Sequence, residues 1–223
     1  MFIKLYTHIL FDLDGTITDP AEGITNSIIY SLRRFGIEES DRKKLYAFIG
    51  PPLYASYEKY YGFSHEQAVK AVDVYREYYA DRGIFECYLY DGMAELLREL
   101  SESAKIILAT SKPTVFATRI LEHFGIGGRF DFVAGSELDG GRIEKGDVIA
   151  YAARSRGFAP EKALMVGDRK HDIIGAAANG MDAVGVLYGY GSRAELEGAG
   201  AKSIADDVGG LHSLLAGLVS KCE

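Results

Sequence analysis

Asp12 and Asp14 close the apolar stretch "ILFDLDGTITD" at residues 9–19, and Gly15 follows them directly. In a strand, residues i and i+2 face the same way, so the two carboxylates would point together with Leu13 opposite. Like charges that close raise one another's pKa unless a cation or a shared proton intervenes. The pair therefore suits a metal site or an acid/base pair. It also suits a hairpin, because Asp-Gly is a favoured two-residue turn. The next residues argue against a return strand: Asp19, Pro20 and Glu22 read as an N-cap, a first helical residue and a capping-box acid. A calcium loop fails on spacing, because it needs glycine sixth and glutamate twelfth. Counted from Asp12, the glycine comes fourth and Gly23 stands twelfth.

Other polar residues follow apolar runs in the same way. "KIILAT" ends at Thr110, with Ser111 and Lys112 next, and "ALMVG" ends at Asp168, with Asp172 four residues on. Five short runs recur: "IKLYTHILF", "AKIILAT", "FDFVAG", "ALMVGD" and "DAVGVLYG". Helical patterns at 91–102, 113–124, 145–157 and 172–179 precede the later ones. Strands this apolar, alternating with helices, predict an α/β fold: a doubly wound parallel sheet covered on both faces. All strand C-termini of such a sheet lie on one edge, where ligands bind. Asp12, Asp14, Thr110, Asp168 and Asp172 converge there, although Asp172 alone would also serve as a cap for the helix 172–179. Four acids need positive charge. An all-oxygen ligand set favours a hard cation such as Mg2+ over zinc. Lys145, at the start of helix 145–157, opposes the helix dipole, a placement that makes sense beside an anionic pocket.

Residues 19–83 break the alternation. Ile24, Ile28, Leu32 and Phe35 form one helical stripe ended by Gly36, and "SHEQ" at 64–67 is a second capping-box signature. Between these lies "IGPPL" at 49–53, a break or loop. The predicted organisation is a core of 1–18 and 84–223 with a small all-helical domain, 19–83, inserted after the first strand.

The chain has 223 residues, 48% hydrophobic and 26% charged, enough for a sizeable core. Its net charge of −7 argues against nucleic-acid binding, which needs a basic footprint, but not against an anionic small molecule. Cys87 and Cys222 form no CxxC motif, so neither a zinc site nor a disulfide framework is indicated. "MFIKLYTHILFD" reads as a buried strand, not a signal peptide, and no run reaches membrane-spanning length. A cytoplasmic location is the expectation.

"DLDGT", Thr110, Lys145 and "GDRKHD" at 167–172 together resemble the four ordered motifs of the haloacid dehalogenase superfamily. The resemblance spans nearly the whole chain. The second aspartate matches the phosphatases of that family, since the dehalogenases that name it lack this residue. The helical insertion resembles the family's C1 cap, and the nearest likeness is to phosphoglycolate-phosphatase-like members, where a segment like "IGPPL" is common. "TSKP" stands where "TNKP" is usual, "EKGD" lacks a proline after the lysine, and Arg169 replaces serine or threonine, as in a branch often labelled 5'-nucleotidase.

The resemblance implies a Rossmann-like three-layer core and a Mg2+-dependent phosphatase acting through an aspartyl-phosphate. Asp12 would be the nucleophile and Asp14 the acid and then the base. Magnesium would take Asp12, the backbone carbonyl of Asp14, Asp168 and Asp172. Thr110 and backbone N–H groups near Leu13 and Ser111 would hold phosphoryl oxygens, and Lys145 would neutralise charge. Thr16 would orient Asp14. Thr16, Ser111, Gly50 and Pro51 are the candidate substrate-binding residues, the last two within a segment, 48–53, expected near the leaving group. The expected partner is a small phosphorylated metabolite, with the chain a monomer or homodimer.

Other readings are a 5'-nucleotidase or pyrophosphatase of the same family, a phosphosugar mutase, or a non-catalytic binding protein on this fold. Arg33, Arg34, Arg42, Lys43 and Lys44 are available as a mutase's basic grip but read as a solvated face and turn. "GYGSRA" at 189–194 formally fits a dinucleotide fingerprint, yet reads better as a flexible strand-to-helix loop with Ser192 capping the helix. His171, the histidine nearest the expected site, reads as structural or solvent-facing.

Overall fold

The computed structural model describes residues 5–139 and 141–219. Cys222 and the start of the first apolar run lie outside them.

The core is built on β1 (His8–Phe11), whose last three residues are buried because both its faces are covered. The chain leaves through β2 (Thr18–Asp19) and returns through β3 (Tyr88–Leu89), which pair in a separate two-stranded sheet. It then continues through α5 (Met93–Leu100), β4 (Lys105–Pro113), α6 (Thr114–His123), β5 (Phe132–Ser136), α7 (Lys145–Arg156), β6 (Ala163–Gly167), α8 (Lys170–Ala178) and β7 (Asp182–Val186). The predicted strands and helices are all present with ends shifted by a few residues, most of all β1, which is shorter than its apolar run. The chain finishes with α9 (Arg193–Gly198), β8 (Ser203–Ala205) and α10 (Val208–Ala216). β8 and α10 were not expected from the sequence. Both are short, and "SIA" is too brief to show a period.

The main sheet runs β5-β4-β1-β6-β7-β8, with every pairing parallel. Strand order reverses at β1, since the chain first builds outward through β4 and β5 and then crosses to β6. That reversal opens a crevice at the carboxyl edge, between β4 and β6. Register sets what meets there. Phe11 aligns with Leu108 on one side and Val166 on the other. The next residues, Asp12, Ala109 and Gly167, are thus level at the rim. Leu10, Ile107, Met165, Val148, Ile149 and Ile173 pack into one apolar cluster between sheet and helices, each side chain worth about 1.5–3 kcal/mol of burial.

Asp19–Tyr88 folds as a second compact unit. It holds α1 (Ala21–Arg34), α2 (Arg42–Leu45), α3 (Leu53–Tyr61) and α4 (His65–Tyr79). Ile24, Ile28 and Leu32 are buried, as the stripe on α1 requires. Asp19 Oδ1 accepts from Ala21 N at 2.9 Å, but the N-cap position of α1 falls on Pro20, one residue later than expected, and carries no side-chain cap bond. Glu22 does not close the box, because its carboxylate takes the Tyr88 hydroxyl at 2.6 Å. Ser64 and Gln67 do form a reciprocal capping box on α4. This unit runs five residues beyond the sequence boundary at 83. The backbones at Gly23 and Gly83 approach so closely that a Cβ on Gly23 would lie 1.9 Å from the Gly83 carbonyl oxygen, and Gly23 N donates to Glu86 O at 2.9 Å. That approach ties residues 83–86 to α1.

Candidate active site

Asp12 and Asp14 do not share a strand face. β1 stops at Phe11, and the chain turns at once: Leu13 O accepts from the backbone N–H groups of Thr16, Ile17 and Thr18 at 3.2, 2.9 and 2.9 Å. The Leu13 side chain is fully buried and pins the turn. The two carboxylates therefore diverge. Asp12 Oδ1 lies 2.8 Å from Lys145 Nζ, whereas Asp14 Oδ1 accepts from Lys112 Nζ at 2.8 Å. Gly15 sits at φ +85°, and a Cβ there would lie 2.3 Å from Asp168 Oδ2. Its backbone conformation and this close approach both require glycine.

Lys145 opens α7 and is 5% exposed. Its ammonium donates to Ala109 O at 2.9 Å and pairs with Asp12 and Asp172 at 2.8 and 2.9 Å. Close packing of α7 on α8 brings these groups together, since a Cβ on Gly175 would lie only 2.9 Å from Gly146 N. Burial opposes the charge on Lys145, yet Asp12 and Asp172 hold its pKa above the ordinary lysine value. Asp172 combines two roles: its Oδ2 accepts from Arg169 N at 3.1 Å, capping α8, while Oδ1 faces Lys145.

Asp168 is wholly buried. Its Oδ2 accepts from Tyr190 N at 2.8 Å, and its Oδ1 has no hydrogen-bond partner among the described residues. Burial, then the charges of Asp172 and Asp12, push its pKa well above the carboxylate range. Asp172 is pushed up to about 6, by burial first and against the pull of Lys145. Asp14 is raised by burial, with Lys112 opposing.

Ligand atoms of Asp12, Asp168 and Asp172 lie within 4.8 Å of one another. Four carboxylates in all face two ammonium groups, leaving two negative charges. An orphaned buried carboxylate oxygen, an all-oxygen donor set and this charge fit one hard divalent cation. The Asp14 carboxylate is not part of the triad. That leaves its backbone carbonyl as the donor named from the family resemblance.

Thr110 is buried on β4 and its Oγ1 accepts from Lys112 N at 3.2 Å. Ser111 follows, half-buried, its carbonyl accepting from Ser136 Oγ at 2.8 Å. Thr16 is buried beside the turn, but no hydrogen bond joins it to Asp14: its hydroxyl has no partner among the described residues, and its carbonyl accepts from the Tyr188 hydroxyl at 3.0 Å. Lys112 is what holds Asp14. Gly50, exposed at φ +101°, and half-buried Pro51 lie in the Asp19–Tyr88 unit just before α3. The triad and its lysines belong to the other unit. His171 is half-buried, its pKa lowered by burial and by Arg169 and Lys170.

Two features escaped the sequence reading. The first is the Lys112–Asp14 pair, which no spacing rule connects across 98 residues. The second is the "GYG" segment, which is a close wrap around Asp168. A Cβ on Gly189 would lie 2.3 Å from Gly15 O and 2.5 Å from Asp168 Cβ, and one on Gly191 only 1.8 Å from Asp168 O. Ser192 does cap α9, accepting from Glu195 N at 3.2 Å. The signal available was position: "GYG" follows a strand of the same sheet. Gly189→Ala is expected to cost about 1–3 kcal/mol in thermal or urea unfolding by overpacking. Gly198→Ala, whose Cβ meets nothing within 4 Å, is expected to be neutral or slightly stabilising.

Buried acids and lysines at the carboxyl edge of a doubly wound sheet make an α/β centre whose donor set and charge fit a divalent cation. Residues 9–186 match the family of haloacid dehalogenase-like hydrolases, and the chain belongs to it. A 5'-nucleotidase from Pseudomonas aeruginosa is 44% identical over 211 residues, covering 94% of this chain and 96% of that protein. Tyrosine-protein kinase PtkA from Mycobacterium tuberculosis is 41% identical over 184 residues, 82% of this chain but 62% of PtkA. The crystal structure of a predicted phosphatase from Clostridium acetobutylicum matches with a TM-score of 0.92 at 47% identity, covering 96% of this chain and 99% of that one. The first and third place this chain among the family's phosphatases. No helix among the described residues is long and apolar enough to cross a membrane.

Proposed function

We propose that the chain is a Mg2+-dependent phosphatase of small phosphomonoesters that works through an aspartyl-phosphate on Asp12, in the cytoplasm. The observation that carries this is the separation of the two aspartates, one within the acid triad and paired with Lys145, the other held apart by Lys112. Their tasks separate in the same way. A carboxylate oxygen of Asp12 attacks phosphorus as the P–O ester bond breaks, and the leaving alkoxide takes a proton from Asp14. Burial of Asp14 favours the proton it must carry. A water then attacks the phosphorus, giving its proton to Asp14, and the bond to Asp12 breaks to release phosphate. Lys145 neutralises charge on Asp12 and the phosphoryl group, while Thr110 and the N–H groups of Leu13 and Ser111 bind its oxygens. Magnesium, held by Asp12, Asp168, Asp172 and the Asp14 carbonyl, would supply charge stabilisation to the transferring group. The Asp19–Tyr88 unit would serve as a cap, with Gly50 and Pro51 as its candidate substrate-selecting residues.

The 44%-identical relative named 5'-nucleotidase moves nucleoside 5'-monophosphates ahead of phosphoglycolate as the substrate class. Phosphate release from p-nitrophenyl phosphate, nucleoside monophosphates, phosphoglycolate, sugar phosphates and pyrophosphate tests the reading. Release with Mg2+ that stops with chelator is expected, with nucleoside monophosphates ranking highest. No release from any ester by folded, Mg2+-bound protein would overturn it.

A further inference from the structure

We infer that Lys112 is a positioning residue for the proposed acid/base Asp14. This inference rests on the role given to Asp14 above. Asp14 stands two residues from Asp12, near enough in the chain for its carboxylate to join the metal-binding triad as a further ligand. A carboxylate bound to a divalent cation cannot hand a proton to a leaving alcohol. The turn at Leu13 aims the Asp14 carboxylate away from the triad, and one side-chain cation holds it there. Lys112 Nζ lies 2.8 Å from Asp14 Oδ1, and the side chains are only 7% and 14% exposed. Water therefore screens the pair weakly.

The placement of Lys112 is itself built. β4 carries a register irregularity between Ala109 and Pro113, so Lys112 does not follow simple strand alternation. Thr110 Oγ1 accepts from Lys112 N at 3.2 Å. On its far side the backbone is seated against Gly135, where a Cβ would lie 2.6 Å from Lys112 O. The same strand thus uses Thr110 to hold the backbone and Lys112 to hold the acid/base. Lys145 cannot substitute, because Asp12, Asp172 and Ala109 O already surround its ammonium.

A proton donor matters in proportion to how poor the leaving group is. Alkoxides need the proton, and p-nitrophenolate leaves almost without it. Lys112→Met, which keeps the length and apolar stem, should lower the single-turnover rate of alcohol release from an alkyl phosphate about 100-fold or more, and that of p-nitrophenolate release from p-nitrophenyl phosphate less than about 5-fold. Lys112→Arg should recover part of the alkyl rate. A purely structural role would reduce both esters alike and leave their ratio unchanged. Asp14→Asn is the reference: in this first half-reaction, before water attack on the phosphoenzyme, it must show the same selective loss. If Asp14→Asn slows both esters equally, the acid/base role of Asp14 fails. If Asp14→Asn is selective and Lys112→Met is not, with the protein folded by circular dichroism, the positioning role of Lys112 is overturned.

Discussion

Asp12→Asn is expected to lower phosphate release by about 10,000-fold or more on every ester, while the protein stays folded. The amide has the shape of the carboxylate but no oxygen able to attack phosphorus at a useful rate. The fold should survive because Lys145 retains Asp172 at 2.9 Å and Ala109 O at 2.9 Å, and because Asp12 N still donates to Val166 O at 3.0 Å. Asp12 is also one of the three clustered carboxylates, so the assay needs Mg2+ raised until activity no longer rises. Otherwise lost metal would pass for a lost nucleophile. Asp14→Asn supplies the contrast. It keeps the nucleophile and should still react once with p-nitrophenyl phosphate, but water attack then lacks a base. Acid-quenched Asp14→Asn protein should therefore carry one phosphoryl group by mass, on the peptide containing Asp12, and Asp12→Asn should carry none. Residual turnover in Asp12→Asn above about one part in a hundred would mean that the covalent step belongs to another group.

The two levels of this structure were unequally visible in the chain. The parallel sheet showed itself through Leu10, Ile107 and Met165, members of apolar runs too continuous for a half-exposed strand. Lys145, Asp168 and Asp172 were legible because each sits at a strand end or helix start, positions that strand–helix alternation reveals. Asp12 and Asp14 were legible in the same way, but the direction of their carboxylates was not. Period-two alternation ends with β1 at Phe11, and over the next three residues the turn closed on Leu13 O replaces the ladder. Two close acids do need a cation, but each found a different one. Lys112 was hidden for a related reason, because the register irregularity between Ala109 and Pro113 resets side-chain direction and leaves no trace in the apolar pattern. Gly189 and Gly191 looked like loop flexibility because a single chain does not show what approaches a missing side chain. In the fold, Asp168 fills that space.

Removing the metal should change stability in a manner that depends on pH, and the sign follows from the acids. Asp168 and Asp172 titrate higher in the metal-free fold than in an unfolded chain, Asp172 near 6 against 3.8. The metal-free fold thus binds more protons than the unfolded chain, and loses stability as pH rises from about 4 through about 6 and beyond. Lys145, raised above an already high value, stays charged throughout this range and adds no slope. A divalent cation supplies the charge that protons supplied at low pH. Mg2+ at about 100 times its dissociation constant stabilises by about 2.7 kcal/mol, or about 5–10 °C in melting midpoint for a chain of this size. That shift is expected at pH 7.5 and should shrink at pH 5, where protons compete for the same oxygens. Asp168→Asn should abolish the shift. In chelator at pH 7.5 it should nevertheless melt no lower than the unsubstituted protein, since it removes an uncompensated buried charge and keeps an acceptor for Tyr190 N. Equal Mg2+ shifts at both pH values, or an Asp168→Asn protein clearly less stable in chelator, would show that the acid cluster is balanced by the fold itself and not by a bound cation.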